Sequence, residues 1–422
     1  MPSPSTPEQR FDAYMNLLTG VIGHADRAIP LRNYCSGLLL PGERKSVEPM
    51  AARIDPEHVP HQHQSMHHFI AEAPWSDDAV MEAVRDYTLP AIETMEPIQA
   101  WIVDDTGLSK KGKYSVGVAR QYCGRLGKQD NCQVLVTVSV AHSQASLPVA
   151  FRLYLPDSWA SDPERRLKCG VPEELWFQTK PTIAMSLLEK LVDTDIPRGV
   201  LLADAGYGND SLFRYQLSAL GLRYAVGVQS STTVSVRGTA NDLGQGMRDV
   251  VVSVLDLAVS VGESAFEEVR WREGSSAVLA SRFWAVRVVS AHHVLERGGP
   301  AAEEWLLVEW PDGAVEPTKF WLATLPEGST LRQLVHIVMM RWRIERDYEE
   351  LKSEIGLNHF EGRGWRGFHH HATMCIAAYA FLVAERGLFP PEEESRWNPF
   401  RAPVLPANYR PRGAARTVVA TR

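Results

Sequence analysis

The sequence predicts an α/β protein in which a helical N-terminal region precedes a core of mixed strands and helices, with a β-rich insertion ahead of a late helix. Three observations carry this. Apolar residues recur every three or four positions from about Phe11 to Glu96. The pattern then switches to short β-branched runs bounded by Gly, Pro or polar residues, WIVDD, VLVTVSVAH, LPVAFRLYL, GVLLADAG and LRYAVGV. From about Gln229 to Pro326 the helical spacing disappears altogether, and it returns in STLRQLVHIVMMRWRIERDYEELKSEIG.

Taken in order, YMNLLTGVI, EPMAARI, MHHFIAEA and DDAVMEAVRDYTLPAIETM read as the helices of a first domain, residues 1–97. Residues 98–228 form the first part of the core, with PTIAMSLLEKLVDT as a helix between two strands. The insertion, 229–326, holds TTVSV, VVVSVLDLAV, AFEEVRW, RFWAVRVVSA, EWLLVEW and KFWLATL as strands. Residues 327–389 complete the core. Here the spacing predicts one helix of more than twenty residues, the longest of the chain, N-capped by Ser329 or Thr330 and followed by the apolar helix ATMCIAAYAFLVAER. The Pro- and Arg-rich end, 390–422, reads as a loosely ordered basic tail.

A chain of 422 residues, 45% hydrophobic and 23% charged, can build sizeable cores. Its longest apolar runs fall short of the roughly 18 residues of a membrane span, and MPSPSTPEQRFDAYMN lacks the basic-then-apolar order of a signal peptide, so the reading is cytosolic. Five cysteines without a C-x-x-C pair argue against a disulfide framework or a zinc ribbon. The net charge of -7 is unevenly spread: residues 1–98 carry 7 Lys/Arg against 14 Asp/Glu, residues 106–170 carry 10 against 4, and residues 396–422 carry 6 Arg and no acid. A basic central block with a basic tail suits a phosphate-bearing partner, and solvated loops are the plain alternative.

Three acids stand out. Asp105 in WIVDDTG and Asp204 in VLLADAGYG each end an apolar strand, and Glu345 in RWRIERDYEELK lies on the long helix. Strand-end carboxylates point into the crevice where α/β folds place ligands. Two of them with a third from a helix can hold hard cations through oxygen, the apparatus of metal-assisted phosphoryl transfer. Strand alternation lets only one of Asp104 and Asp105 face such a site, and spacing does not say which. Asp347, Glu349 and Glu350 are rival acids, of which only Glu349 shares a face with Glu345.

RWRIE, with Lys352 seven residues beyond Glu345, resembles the Y-R-E-K helix signature of insertion-sequence DDE transposases. With YEELKSEIGLNHFEGRGWRGFHHH, YCSGLLLPGERKSVEPMA, QSMHHFI and RPRG, the chain resembles the insertion sequence family seven-zero-one group over nearly its whole length. The resemblance implies an RNase H-like core, a DNA-binding N-terminal domain and Asp105, Asp204 and Glu345 as catalytic metal ligands, the family pattern favouring Asp105 over Asp104. It also implies two Mg²⁺ ions, with Mn²⁺ able to substitute. Arg341 and Lys352 would contact phosphate, and on a regular helix they share a face with Glu345. The partners implied are double-stranded DNA, both element ends and target, and a second copy of the chain, in a nucleoid-associated setting. The signature tyrosine is replaced by Val338. The alternatives are a catalytically silent DNA-binding relative, a metal-dependent nuclease without strand transfer, and a two-carboxylate glycosidase that would need no metal.

Lys110, Lys111, Lys113, Arg120, Arg125 and Lys128 follow Asp105 in a glycine-containing loop that suits a phosphodiester backbone, Lys110 and Lys111 lying nearest. His58, His61, His63, His67 and His68 fit no standard metal spacing, and His369, His370 and His371 carry no assigned role. Trp342 and Trp365 are candidates to stack on an unpaired base, with core packing the commoner fate of such residues.

Overall fold

The computed structural model describes residues 6–123, 127–236, 250–273, 278–291 and 303–389. The expected basic tail, with RPRG and the six Arg of 396–422, lies outside the described residues, as does Arg125.

The first domain forms as α1 (Pro7–Val21), α2 (Ala28–Leu39), α3 (Val47–Ile54), α4 (Val59–Ala71) and α5 (Asp77–Met95). Local capping sets several boundaries. Thr6 and Gln9 form a reciprocal capping box at α1, and Ser76 Oγ accepts from the Ala79 N–H at α5. Their apolar stripes close on α14 (Trp365–Leu388), which at 24 residues is the longest helix among the described residues. This helix is buried on nearly every side, which explains why its sequence is apolar all round. Tyr14 donates to the Ala377 carbonyl at 3.0 Å, and Arg10 pairs with Glu385 at 2.5 Å. The same apolar core runs on without a break into the sheet.

The central strands are β1 (Ala100–Ser109), β2 (Ala119–Cys123), β3 (Lys128–Ala141), β4 (Ser146–Leu153), β5 (Val200–Ala203) and β6 (Tyr224–Val228). β1 pairs antiparallel with β3 along its whole length and parallel with β5 only from Ala100 to Ile102. Strands covered on both faces read as continuous apolar runs, and AWIV of β1 is fully buried. Helices α6 (Asp157–Ala160), α7 (Pro163–Cys169) and α8 (Lys180–Val192) connect β4 to β5, and α9 (Ala205–Gly208) and α10 (Ser211–Ala219) connect β5 to β6.

The β-rich region extends this sheet. It contributes β7 (Thr233–Val236), β8 (Val250–Ser253), β9 (Glu267–Glu273), β10 (Val278–Ser290), β11 (Glu303–Trp310) and β12 (Lys319–Ala323), and β12 pairs antiparallel with β6. The sheet order is β2-β3-β1-β5-β6-β12-β11-β10-β7-β8, with β4 on β3 and β9 on β10. One expectation fails here. VVVSVLDLAV is not a strand throughout: β8 ends at Ser253, and α11 (Val254–Val261) begins, because Ser253 Oγ accepts from the Asp256 N–H at 3.0 Å and caps a helix.

The late helix also differs from expectation. Thr330 caps α12 (Leu331–Met339) with a capping box to Gln333, but the helix breaks at Met340 and resumes as α13 (Trp342–Glu350). A π-helical turn, Leu351–Ile355, follows. Arg341 therefore occupies the N-cap of a new helix rather than the middle of a long one.

Candidate active site

β5 is only four residues long and ends at Ala203, whereas β1 runs on to Ser109 because β3 pairs with it throughout, so Asp105 does not end a strand as the sequence suggests: Asp104 and Asp105 lie within β1, just past the end of its short parallel neighbour. Ile102 is level with Leu202, which places Asp104 and Asp204 two residues beyond that pair on each strand. Asp204 caps α9: its Oδ1 accepts from the Gly206 N–H at 2.9 Å, so Oδ2 is the oxygen turned toward Arg341. The turn fits because β6 carries Gly227 beneath it, where a Cβ would lie 2.9 Å from the Ala205 nitrogen and 3.2 Å from the Asp204 carbonyl carbon.

Asp104 is the more buried member of the DD pair. Its Oδ1 accepts from the Asp105 backbone N–H at 2.8 Å, and its Oδ2 lies 3.1 Å from Arg341 Nη2. The same nitrogen stands 3.6 Å from Asp204 Oδ2. Burial pushes the Asp104 carboxyl up to about 6, with Arg341 opposing and Asp204 adding to the rise. Burial alone would lower the Arg341 pKa, yet Asp104, Asp204 and Glu345 outweigh it and raise the guanidinium above its ordinary value. Glu345, exposed in the first turn of α13, thus lies within electrostatic reach of the same cation.

Asp105, which the sequence singles out, faces elsewhere. Its Oδ2 accepts from Lys180 Nζ at 2.9 Å and from the buried Tyr207 hydroxyl at 3.3 Å. Lys180 opens α8, and neither it nor Tyr207 is marked in the sequence by a motif that points to Asp105; Tyr207 lies only three residues beyond Asp204. A second buried phenol, Tyr348, hydrogen-bonds Thr137 below Asp104. Asp104, Asp204 and Arg341 are brought together, Glu345 lies within electrostatic reach of Arg341, and Asp105 is held apart by Lys180 and Tyr207.

The other cations divide. Lys111 is exposed. Lys110 donates to the Phe360 carbonyl at 2.6 Å, and burial lowers its pKa to about 8. Lys352 is buried on the π-turn, 5.9 Å from the Tyr348 ring centre, and that turn breaks the regular progression expected to align it with Arg341 and Glu345. Among the rival acids, Asp347 is buried and accepts from Tyr379 at 2.8 Å, Glu350 pairs with Arg386 at 3.0 Å, and Glu349 is exposed. Val338 is packed in the core.

His369, His370 and His371 serve packing: each is buried, bonded to a main-chain carbonyl, and pushed by burial to about 4, 4 and 3. A neutral His370 makes no ion pair with Asp77 despite an approach of 3.9 Å. Trp365 is half-buried with its ring 4.2 Å from that of His369, and Trp342 is half-buried near Arg343.

Among the described residues no three His, Cys, Asp or Glu side chains stand close enough to share an ion. The guanidinium of Arg341 lies between two of the carboxylates instead, as a positive charge at the point where their oxygens converge. The two carboxylates that gather this cation, Asp104 and Asp204, offer the oxygen donors a hard divalent ion takes, with Glu345 outside that pair. Among the described residues no helix is long and apolar enough to cross a membrane.

A family model for DDE superfamily endonuclease matches residues 17–278, and one for Transposase DDE domain matches residues 179–381. The chain is also 33% identical over 174 residues to a probable transposase for insertion sequence element IS701 from Microchaete diplosiphon, a match covering 41% of this chain and 42% of that relative. The first model spans well over half of the chain and contains Asp104, Asp105 and Asp204, and the second continues through Arg341 and Glu345. The strands, the helix and the matched segments coincide: the chain belongs to the DDE superfamily endonuclease family.

Proposed function

We propose that this protein is a DNA transposase that cuts the ends of a mobile element and joins them to target DNA in metal-dependent steps. The observation that carries this is the single guanidinium of Arg341 shared by Asp104 on β1 and Asp204 at the end of the parallel β5, with Glu345 within its electrostatic reach. The relative named as a transposase of an insertion sequence supports the same reading.

The first-strand ligand is taken to be Asp104 rather than Asp105, because Asp104 shares its partner with Asp204 whereas Asp105 is engaged by Lys180 and Tyr207. Asp104, Asp204 and Glu345 would hold two divalent ions, Mg²⁺ or Mn²⁺. When bound, such ions activate an attacking oxygen and stabilise a leaving one. Arg341 offsets negative charge developing on phosphate, Lys111 contacts the backbone, and Lys110 and Lys352 brace the segments around the site. Asp105 fixes the position of Lys180, whose ammonium is partly exposed beside the carboxylates.

The RNase H-like core comprises β4, β3, β1, β5 and β6 with the helices packed on them, and residues 229–326 form the insertion that widens the sheet. All the proposed ligands lie on the core or on α13, and none lies on the extension. Residues 1–97 bind DNA, and two copies bridge two element ends.

The test is a product assay on the flanking element ends with and without Mg²⁺. Metal-dependent cleavage with joined strands is expected. Cleavage without joining would reduce the protein to a nuclease, and binding without cleavage would leave a silent relative.

A further inference from the structure

Two buried phenols stand at the same interval behind two of the proposed ligands. Tyr207 follows Asp204 by three residues and Tyr348 follows Glu345 by three. Each hydroxyl reaches the β1–β3 pair: Tyr207 donates to Asp105 Oδ2 at 3.3 Å, and Tyr348 hydrogen-bonds the Thr137 hydroxyl. Thr137 is the residue of β3 paired with Asp104, and Asp105 is the next residue of β1. The two phenols thus fasten to residues adjoining Asp104, one along its strand and one across the ladder.

The elements that carry Asp204 and Glu345 need such ties. The parallel ladder between β1 and β5 stops at Ile102 and Leu202, so no strand pairing joins Asp204 to β1. α9, which Asp204 caps, is a single four-residue turn, and an isolated turn is too unfavourable to fix its own place. Gly227 of β6 supports it and Arg214 holds its end through the Gly208 carbonyl, contacts that do not involve β1. α13 is interrupted at both ends, by the break at Met340 and by the π-helical turn, so no longer helix steadies it. Residues three apart share a helix face, and a bond at Tyr348 therefore also sets where Glu345 stands.

Arg341 is a tie of another kind, because it acts through oxygens of Asp104 and Asp204 that a divalent ion would take. The phenol bonds use no oxygen of Asp104, Asp204 or Glu345 and can persist with an ion in place. Burial first, and then Asp105 for Tyr207 and Asp104 for Tyr348, hold both phenols well above their ordinary range, so both stay protonated. Lys180 donates to the same Asp105 oxygen at 2.9 Å and fixes the acceptor that Tyr207 meets.

We infer that Tyr207 and Tyr348 are positioning residues that tie Asp204 and Glu345 to the β1–β3 pair and so hold the carboxylates at the spacing a divalent ion requires. The inference rests on the metal reading above and extends it to residues that do not themselves bind the ion. Groups that orient metal ligands from behind are worth roughly 10- to 100-fold in metal affinity. A 3.3 Å bond is long for a hydroxyl donor, so Tyr207 supplies direction more than stability.

The test is Mn²⁺ binding to the full-length protein without DNA, read from the electron paramagnetic resonance signal of the free ion, beside thermal melting without metal. Asp204→Asn identifies the site and should abolish binding there. Tyr207→Phe and Tyr348→Phe keep their rings and should each weaken Mn²⁺ binding roughly 10- to 100-fold while moving the melting temperature by less than about 3 °C. Thr137→Val should match Tyr348→Phe, and the double variant should bind no more weakly than either, because all three lose one and the same bond. Asp105→Asn, which keeps a carbonyl oxygen to accept from Tyr207, should stay within about threefold of wild type. Wild-type affinity in either phenylalanine variant, or additive losses in Thr137→Val/Tyr348→Phe, would overturn the ties while leaving the metal site intact. Weaker binding with a larger fall in melting temperature would assign the phenols to the fold alone and overturn the inference. Mn²⁺ binding that is absent in wild type, or unchanged by Asp204→Asn, would overturn the metal reading and the ties with it.

Discussion

Arg341 Nη2 lies 3.1 Å from Asp104 and 3.6 Å from Asp204, so one guanidinium ties β1 to the end of its parallel neighbour β5. Asp104 is buried and would be costly to leave charged without that partner. Arg341→Gln is therefore expected to destabilise the fold by about 2 kcal/mol at pH 8, less than a fully buried pair would lose because Arg341 keeps some solvent contact. The loss should shrink below pH 6, where Asp104 takes up a proton. Millimolar Mg²⁺ should raise the melting temperature of the variant more than that of wild type, since a divalent ion no longer competes with the side chain. Equal shifts would speak against the carboxylates as a metal site.

Gly227 underlies the Asp204 turn. Alanine there meets main-chain atoms at 2.9 and 3.2 Å, which cannot rotate aside. Gly227→Ala should cost about 1–3 kcal/mol in chemical denaturation and slow DNA cleavage at least tenfold by moving Asp204. Gly20→Ala is the comparison: it sits on α1 with nothing within 4 Å of the new methyl, and should be neutral or stabilising by up to about 1 kcal/mol. Matching losses at the two glycines would refute the steric account.

His371 is buried between the Tyr34 hydroxyl and the Gly356 carbonyl, at 2.7 and 3.1 Å, and burial takes its pKa from 6.5 to about 3. Between those values the unfolded chain binds the proton and the folded chain does not. Its share of stability is thus complete above pH 6.5 and lost as pH falls, by about 1.4 kcal/mol per unit. His371→Gln removes that dependence. In urea melts the gap between wild type and variant should narrow by about that slope from pH 6 to pH 5, a comparison that cancels buried acids of opposite sign. A gap independent of pH would mean that His371 is charged in the folded protein.

These features were unequally legible in the sequence. The N-terminal helices, the short strand ahead of Asp204 and the Thr330 cap follow from periodicity and capping chemistry, which are local, whereas β1 runs past its two aspartates to Ser109 because a later strand, β3, pairs with it throughout. The break before Arg341 is not local: MMRWRI carries no Gly or Pro, and α12 and α13 part where Arg341 takes up its place between Asp104 and Asp204. The strand assigned to VVVSVLDLAV failed because β-branched residues outweighed the Ser253-x-x-Asp256 cap that starts α11. Lys180 was invisible, since its pairing with Asp105 spans 75 residues and depends on the sheet to bring them together. Which of two adjacent aspartates turns toward Asp204 was undecidable from alternation alone.

That last distinction gives the most direct test. Single-turnover cleavage of an element-end duplex in Mg²⁺ should fall at least 100-fold in Asp104→Asn, as it should in Asp204→Asn and Glu345→Gln, while Asp105→Asn should lose less than about tenfold and show a weakened salt dependence of DNA binding as Lys180 shifts. Near-normal cleavage by Asp104→Asn, with Asp105→Asn inactive, would contradict the account and return the metal to the other face of β1.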